Sequence, residues 1–218
     1  AMAAITGTGG ADTINVPGGV YSTGVTINGA APNAFTIALA QTEDNLITGG
    51  GGADSITAGI GNDTIVGFGA GTTVNGGAGI DTIQVSVAAD ITALNTALGT
   101  DTKIVDVEVV DVSGATAAVN LNFVNQSEAA GFTIILPAGA FNHTITGSNQ
   151  NDTIVGFGTG APIINGGGGI DTLKLTTSLP GTPADNEIVN IENINASGAA
   201  AGVTLDLSAQ TEAFTVVG

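Results

Sequence analysis

Cysteine and tryptophan are absent from this 218-residue chain, and histidine, tyrosine and methionine occur once each. Without cysteine there is no disulfide framework and no thiolate for a soft metal, so something else must staple the structure. Basic side chains are nearly as scarce: the 2 are Lys103 and Lys174, set against 19 acids, for a formal charge of −17 and a pI near 4.1. Such a surface excludes nucleic acid and anionic membrane as partners and makes cations the expected counterpart. Two lysines are too few for a binding patch and read as solvent-facing. No apolar run approaches the ~18 residues of a spanning helix, so membrane insertion is not expected, and no charged segment followed by an apolar one opens the chain. HExxH and GxSxG motifs are both missing, so neither a zinc-protease nor a serine-hydrolase constellation can be assembled, and the chain reads as no enzyme. His143 reads as a structural residue. Ala1-Met2 belongs to no repeat and reads as a cloning remnant.

Glycine is abundant, at 35 residues, and 43% of the chain is hydrophobic. Acidity alone would suit a disordered chain, but here the apolar positions are periodic and a folded solenoid is favoured. Four nine-residue units follow one another from Gly49 to Gln84: GGGGADSIT, AGIGNDTIV, GFGAGTTVN and GGAGIDTIQ. Each approximates G-G-x-G-x-D-x-U-x, a calcium-binding parallel β-helix signature. The Gly-rich half of a unit turns, and the β-branched half, such as Thr64-Ile65-Val66, extends. Two units make one coil, so residues 18 apart stack at a strand spacing of roughly 4.8 Å. Asp63 therefore lies over Asp81. Two carboxylates ~5 Å apart repel by ~0.8 kcal/mol even in bulk water, and more where it is drier. A divalent cation between them reverses the sign, and glycine-rich turns offer carbonyls to fill the six- to eight-oxygen shell that suits Ca²⁺.

Candidate calcium-binding residues on this pattern are Asp12, Gly49, Gly51, Asp54, Asp63, Gly67, Gly69, Gly76, Asp81, Asp152, Gly156, Gly166 and Asp171. Thr72 stands where an acid is missing, and His143 holds the acidic position of its own frame. Asp12 comes from a lone unit, GTGGADTIN at 7–15; the next unit, VPGGVYSTG, lacks the acid, so a complete site is not expected there. Residues 62–83 recur at 151–173 with one residue inserted around Ala161-Pro162, which puts Asp152 and Asp171 19 apart. A longer repeat matches IVDVEVVDVSGA at 104–115 with IVNIENINASGA at 188–199, and places Glu108 and Glu192 in equivalent positions. The acids Asp106, Glu108 and Asp111 read as a solvated strand face, with the binding of extra calcium as the other reading. VNLNF at 119–123 and VTLDL at 203–207 alternate with period 2 and read as strands, as do EAAGFTIIL at 128–136, EAFTVVG at 212–218 and the earlier echo AFTIAL at 34–39. The one helical pattern is ADITALNTALGT at 89–100, with Asp90 as its cap and Ile91, Leu94 and Leu98 on one face.

The expected fold is all-β: a right-handed parallel β-solenoid in which calcium-binding β-roll blocks are joined by further β-helix rungs, with at most one short helix. Its parts are N-terminal rungs with one repeat unit at 1–48, a first calcium block at 49–84, rungs with the helix at 85–137, a second calcium block at 138–174 and C-terminal rungs at 175–218. Gly218 falls part-way through the longer repeat, as in a piece cut from a longer array.

The tandem GGxGxD units at 7–15, 49–84 and 147–174 resemble the RTX (repeats-in-toxin) proteins. That resemblance implies export by bacterial type I secretion, a chain unfolded in the low-calcium cytosol, and folding by external calcium. The segments between the blocks resemble those of Gram-negative bacterial S-layer proteins of the Caulobacter kind. They imply a structural cell-surface segment that associates with itself laterally, with a cell-surface polysaccharide as a partner of another domain. Two other readings fit the same repeats: the calcium-binding region of a secreted enzyme, and the stalk of a large adhesin.

Overall fold

The structure is a computed structural model that describes residues 4–8, 10–18, 24–29, 33–199 and 202–218. Ala1-Met2 and most of the acid-free unit at 16–24 lie outside the described residues. The chain forms two compact units, Ala1–Val110 and Asp111–Gly218. Both are parallel β-solenoid, and the described residues contain a single helix.

In the first unit the strands Ala4–Thr6, Thr26–Asn28, Leu46–Thr48, Thr64–Val66 and Thr82–Gln84 stack on one face. The strands Thr13–Val16, Thr36–Leu39, Ser55–Ile60, Thr73–Ala78 and Ile104–Val105 stack on the other. The expected period of 18 holds through the nonapeptide block, where Ile47 pairs with Ile65, Ile65 with Ile83, and Ile56 with Val74. These residues are buried and form the core as two facing stacks. The β-branched residue at the centre of each three-residue strand explains the arrangement, because its neighbours point outward to the turns and solvent.

Rungs outside the block are longer. Val74 pairs with Ile104, and the intervening chain carries the helix Ala88–Ala97. Ile91, Leu94 and Leu98 are buried as their spacing predicts. Asp90 does not cap: Val87 holds that position without a side-chain bond, and Asp90 lies in the first turn, where its charge suits the helix dipole. Lys103 is half-buried rather than solvent-facing and lines a small cavity with Ala89, Thr92 and Thr96 of the helix.

In the second unit Ile134, Ile154, Leu173, Ile194 and Val216 align on one face, and Leu121, Ile145, Ile164 and Ile188 on the other. The residue inserted near Ala161 is absorbed within its turn, where the Ala161 N–H donates to Asn142 Oδ1 at 2.9 Å. Parallel pairing resumes at Ile163–Asn165. VTLDL at 203–207 is not a strand: Val203, Leu205 and Leu207 alternate as expected, half-buried, but no ladder forms along them.

Candidate metal centre

At the start of each strand a polar side chain accepts the backbone N–H of its counterpart in the rung before. In the first unit Asn45 Oδ1 accepts from Val25 at 3.0 Å, Asp63 Oδ1 from Asn45 at 2.7 Å, Asp81 Oδ1 from Asp63 at 2.7 Å and Glu108 Oε2 from Asp81 at 2.7 Å. In the second, Asp152 Oδ1 accepts from Phe132 at 2.6 Å, Asp171 Oδ1 from Asp152 at 2.7 Å and Glu192 Oε2 from Asp171 at 2.7 Å. The 19-residue spacing thus leaves the Asp152–Asp171 pair as close as the Asp63–Asp81 pair. The opposite edge follows the same rule with other side chains. Asp54 Oδ1 accepts from Phe35, Thr72 Oγ1 from Asp54, and His143 Nδ1 from Val119. Thr72 and His143 therefore replace the acid as acceptors without its charge, and burial pushes the His143 pKa down against the Pro137 carbonyl.

The second carboxylate oxygen divides the aspartates into two groups. In Asp54 and Asp152, Oδ2 accepts the N–H four residues earlier, from Gly50 at 3.0 Å and Ser148 at 2.6 Å; the Ser148 hydroxyl adds a bond at 3.0 Å. Asp12 is held the same way by the N–H and hydroxyl of Thr8, but it is only half-buried. These turns are closed. In Asp63, Asp81 and Asp171, Oδ2 is buried and has no hydrogen-bond partner. The residues four before them are Gly59, Gly77 and Gly167, at φ +116°, +103° and +100°, and Gly61, Gly79 and Gly169 two before them are also left-handed. Only glycine takes such angles readily, and with them the backbone turns its N–H groups away from the aspartate. These turns are open.

The remaining candidate glycines line the same turns. Gly49 lies so close to Asp54 Oδ2 that a Cβ would stand 2.9 Å from it, while Gly51 is exposed. A Cβ on Gly69 would strike the Gly52 carbonyl. Gly67 and Gly156 are left-handed corners at φ +80° and +92°. A Cβ on Gly76 would collide with the Asp106 carbonyl and Asp81 Oδ2, and one on Gly166 with the Asn190 carbonyl and Asp171 Oδ2.

Burial pushes Asp63, Asp81 and Asp171 up to about 6. The N–H groups of Asn45, Asp63 and Asp152 oppose that shift, and nearby carboxylates add to it: Asp81 and Asp44 for Asp63, Glu108, Asp106 and Asp44 for Asp81, Asp152 and Glu192 for Asp171. Burial also raises Asp54 and Asp152. An unpartnered carboxylate oxygen in a dry turn is unfavourable unless a cation meets it. Among the described residues no three His, Cys, Asp or Glu side chains gather as a metal cluster. A cation here would draw on pairs of carboxylates and on backbone carbonyls, an all-oxygen set that fits calcium.

Residues 40–71 match the family model of the RTX calcium-binding nonapeptide repeat (4 copies). The chain carries RTX repeats. RTX repeats bind calcium and are typical of type I secreted extracellular proteins. No curated protein and no solved structure matches the chain. The RTX match ends before Asp81, so both of the turns that geometry leaves open at 76–81 and 166–171 lie beyond it.

One part of the site was not foreseen from the sequence. Asn45 belongs to the ladder, and stepping back 18 residues from Asp63 finds it. Glu108 is half-buried and accepts the Asp81 N–H, so it is not simply part of a solvated strand face. Its signal was the match to Glu192.

Proposed function

We propose that this chain is a calcium-folded structural segment of an extracellular surface layer, with calcium held at the open turns of Asp63, Asp81 and Asp171. The observation that carries the calcium reading is the set of three buried, unpartnered Oδ2 atoms. Bound calcium supplies the positive charge that offsets the stacked carboxylates and gives those oxygens a partner. The chain does the rest: glycine turns hold the carbonyls in place, the Oδ1–N–H ladder sets the rung spacing, and the apolar stacks close behind it. Binding and folding are then one equilibrium. Extracellular calcium modules bind at ~10⁻⁴–10⁻³ M, which would leave the chain expanded inside a cell and folded outside it, consistent with type I secretion.

The surface-layer reading draws on two features. Rungs without the nonapeptide occupy more of the chain than the calcium blocks, as suits a structural role with no catalytic step. Ile60 and Ile80, beside the open turns of the first unit, are 50% and 59% exposed and offer apolar contacts to a second copy once calcium has lowered the charge. A cell-surface polysaccharide would be met through another domain. A calcium titration followed by far-UV circular dichroism, with light scattering and electron microscopy on the same samples, tests this. β-Structure and ordered assemblies should rise together. A folded but persistent monomer would move the reading to an enzyme's auxiliary region or an adhesin stalk, and no response would remove the calcium account.

A further inference from the structure

The rung that follows each nonapeptide block has no GGxGxD motif, yet it is built alike in both units. Glu108 Oε2 accepts the Asp81 N–H, while the N–H groups of Glu108 and Val109 donate to the Asp81 carbonyl at 3.2 and 2.9 Å. Glu192 Oε2 accepts the Asp171 N–H, while Glu192 and Asn193 donate to the Asp171 carbonyl at the same two distances. Two residues before each glutamate the backbone is left-handed at a residue other than glycine, Asp106 at φ +51° and Asn190 at +50°. This conformation is the one that Asp and Asn, after glycine, take most readily. It delivers the Asp106 carbonyl to the face of Gly76, where Asp81 Oδ2 also arrives, and the Asn190 carbonyl to the face of Gly166, where Asp171 Oδ2 arrives. Both of those carboxylate oxygens are buried and unpartnered, on residues 0% and 1% exposed.

The choice of glutamate is the second clue. A neutral side chain is enough to accept the ladder N–H, as Asn45, Thr72 and His143 do elsewhere in the molecule. At both block ends the acceptor is instead a carboxylate, set beside a buried aspartate whose ionisation it opposes. One N–H does not saturate a carboxylate, which has about four lone-pair sites.

We propose that each carboxylate stack ends in a calcium site of its own make. Asp81 Oδ2, the Glu108 carboxylate and the Asp106 carbonyl form it in the first unit; Asp171 Oδ2, the Glu192 carboxylate and the Asn190 carbonyl form it in the second. Each site takes one hard divalent cation at a position with no second RTX aspartate, and so pins a plain β-rung to the end of the calcium block. It rests on the calcium reading above.

The test is the number of calcium ions bound per whole chain, measured by equilibrium dialysis for the wild type, Glu108→Gln, Glu192→Gln and the double variant. Glutamine keeps an oxygen to accept the N–H and loses the charge. One ion fewer is expected in each single variant and two fewer in the double, with far-UV circular dichroism unchanged at saturating calcium. A folded Gln variant that binds as many ions as the wild type, as tightly, overturns the proposal and leaves the glutamates as ladder caps. Should Glu108→Gln fail to fold, Glu192→Gln decides by the same count. A wild type that binds no calcium would instead overturn the reading on which the proposal rests.

Discussion

The turns 76–81 and 49–54 carry nearly the same sequence, GGAGID against GGGGAD, and they are built differently. In the second, the Gly50 N–H folds back on Asp54; in the first, Gly77 is left-handed and Asp81 Oδ2 has no partner. What differs is the stack around them. Asp81 sits between Asp63 and Glu108, whereas Asp54 sits between the Phe35 N–H and the uncharged Thr72. The GGxGxD turns with acids on both sides in the stack, those of Asp81 and Asp171, are open, and so is the turn of Asp63, which lies between Asn45 and Asp81. With a neutral neighbour at Thr72, the Asp54 carboxylate satisfies itself locally.

The largest effect that would sharpen this contrast acts on all three open turns at once. In calcium-free protein Asp63, Asp81 and Asp171 have folded pKa values of about 6 against an ordinary 3.8. The folded state binds more protons than the unfolded one between those values. Their burial is therefore tolerated below pH ~4, and stability is lost as pH rises through ~6. Without calcium, β-structure followed by circular dichroism should fall from pH 4 to 7, and calcium at pH 7 should restore it. A calcium-free chain that gains β-structure over that range would break the assignment.

Single substitutions come next. Asp81→Asn should weaken calcium binding about a hundredfold, or about 2.8 kcal/mol, while Asp54→Asn changes it by less than about threefold, as read by calorimetric titration. Equal losses would erase the distinction between open and closed turns. Among the glycines, Gly167→Ala should cost about 2 kcal/mol in urea unfolding with calcium present, because φ is +100° there and a Cβ would strike the Ser148 carbonyl. Gly168→Ala, whose Cβ would come no closer than 3.3 Å to Asn149 Oδ1, should stay within about 0.5 kcal/mol. In a closed turn, Ser148→Ala removes hydroxyl bonds to Asp152 and should cost about 1 kcal/mol of stability while leaving calcium affinity unchanged.

The period of 18, the facing isoleucine stacks and the helix could all be read from residue spacing, because glycine and β-branched residues alternate so regularly between Gly49 and Gln84. The lack of a strand at 203–207 could not, since alternation reports which side chains face inward and says nothing of whether a neighbouring rung supplies hydrogen bonds. The open and closed turns were partly legible. Thr8 and Ser148 occupy the second turn position in the units of Asp12 and Asp152, and neither readily takes a left-handed angle, so their N–H groups remain available to the aspartate. Gly50 gives no such warning. Glycine takes either hand, so the closed turn there is visible only in the folded structure.

The most direct test of the account is a crystal structure grown with calcium, with ions located by anomalous scattering. Ions within about 2.3–2.6 Å of Asp63, Asp81 and Asp171 Oδ2, and none bonded to Asp54 or Asp152 Oδ2, are the predicted result. Ions held by Asp54 and Asp152 beside a metal-free Asp81 would contradict it.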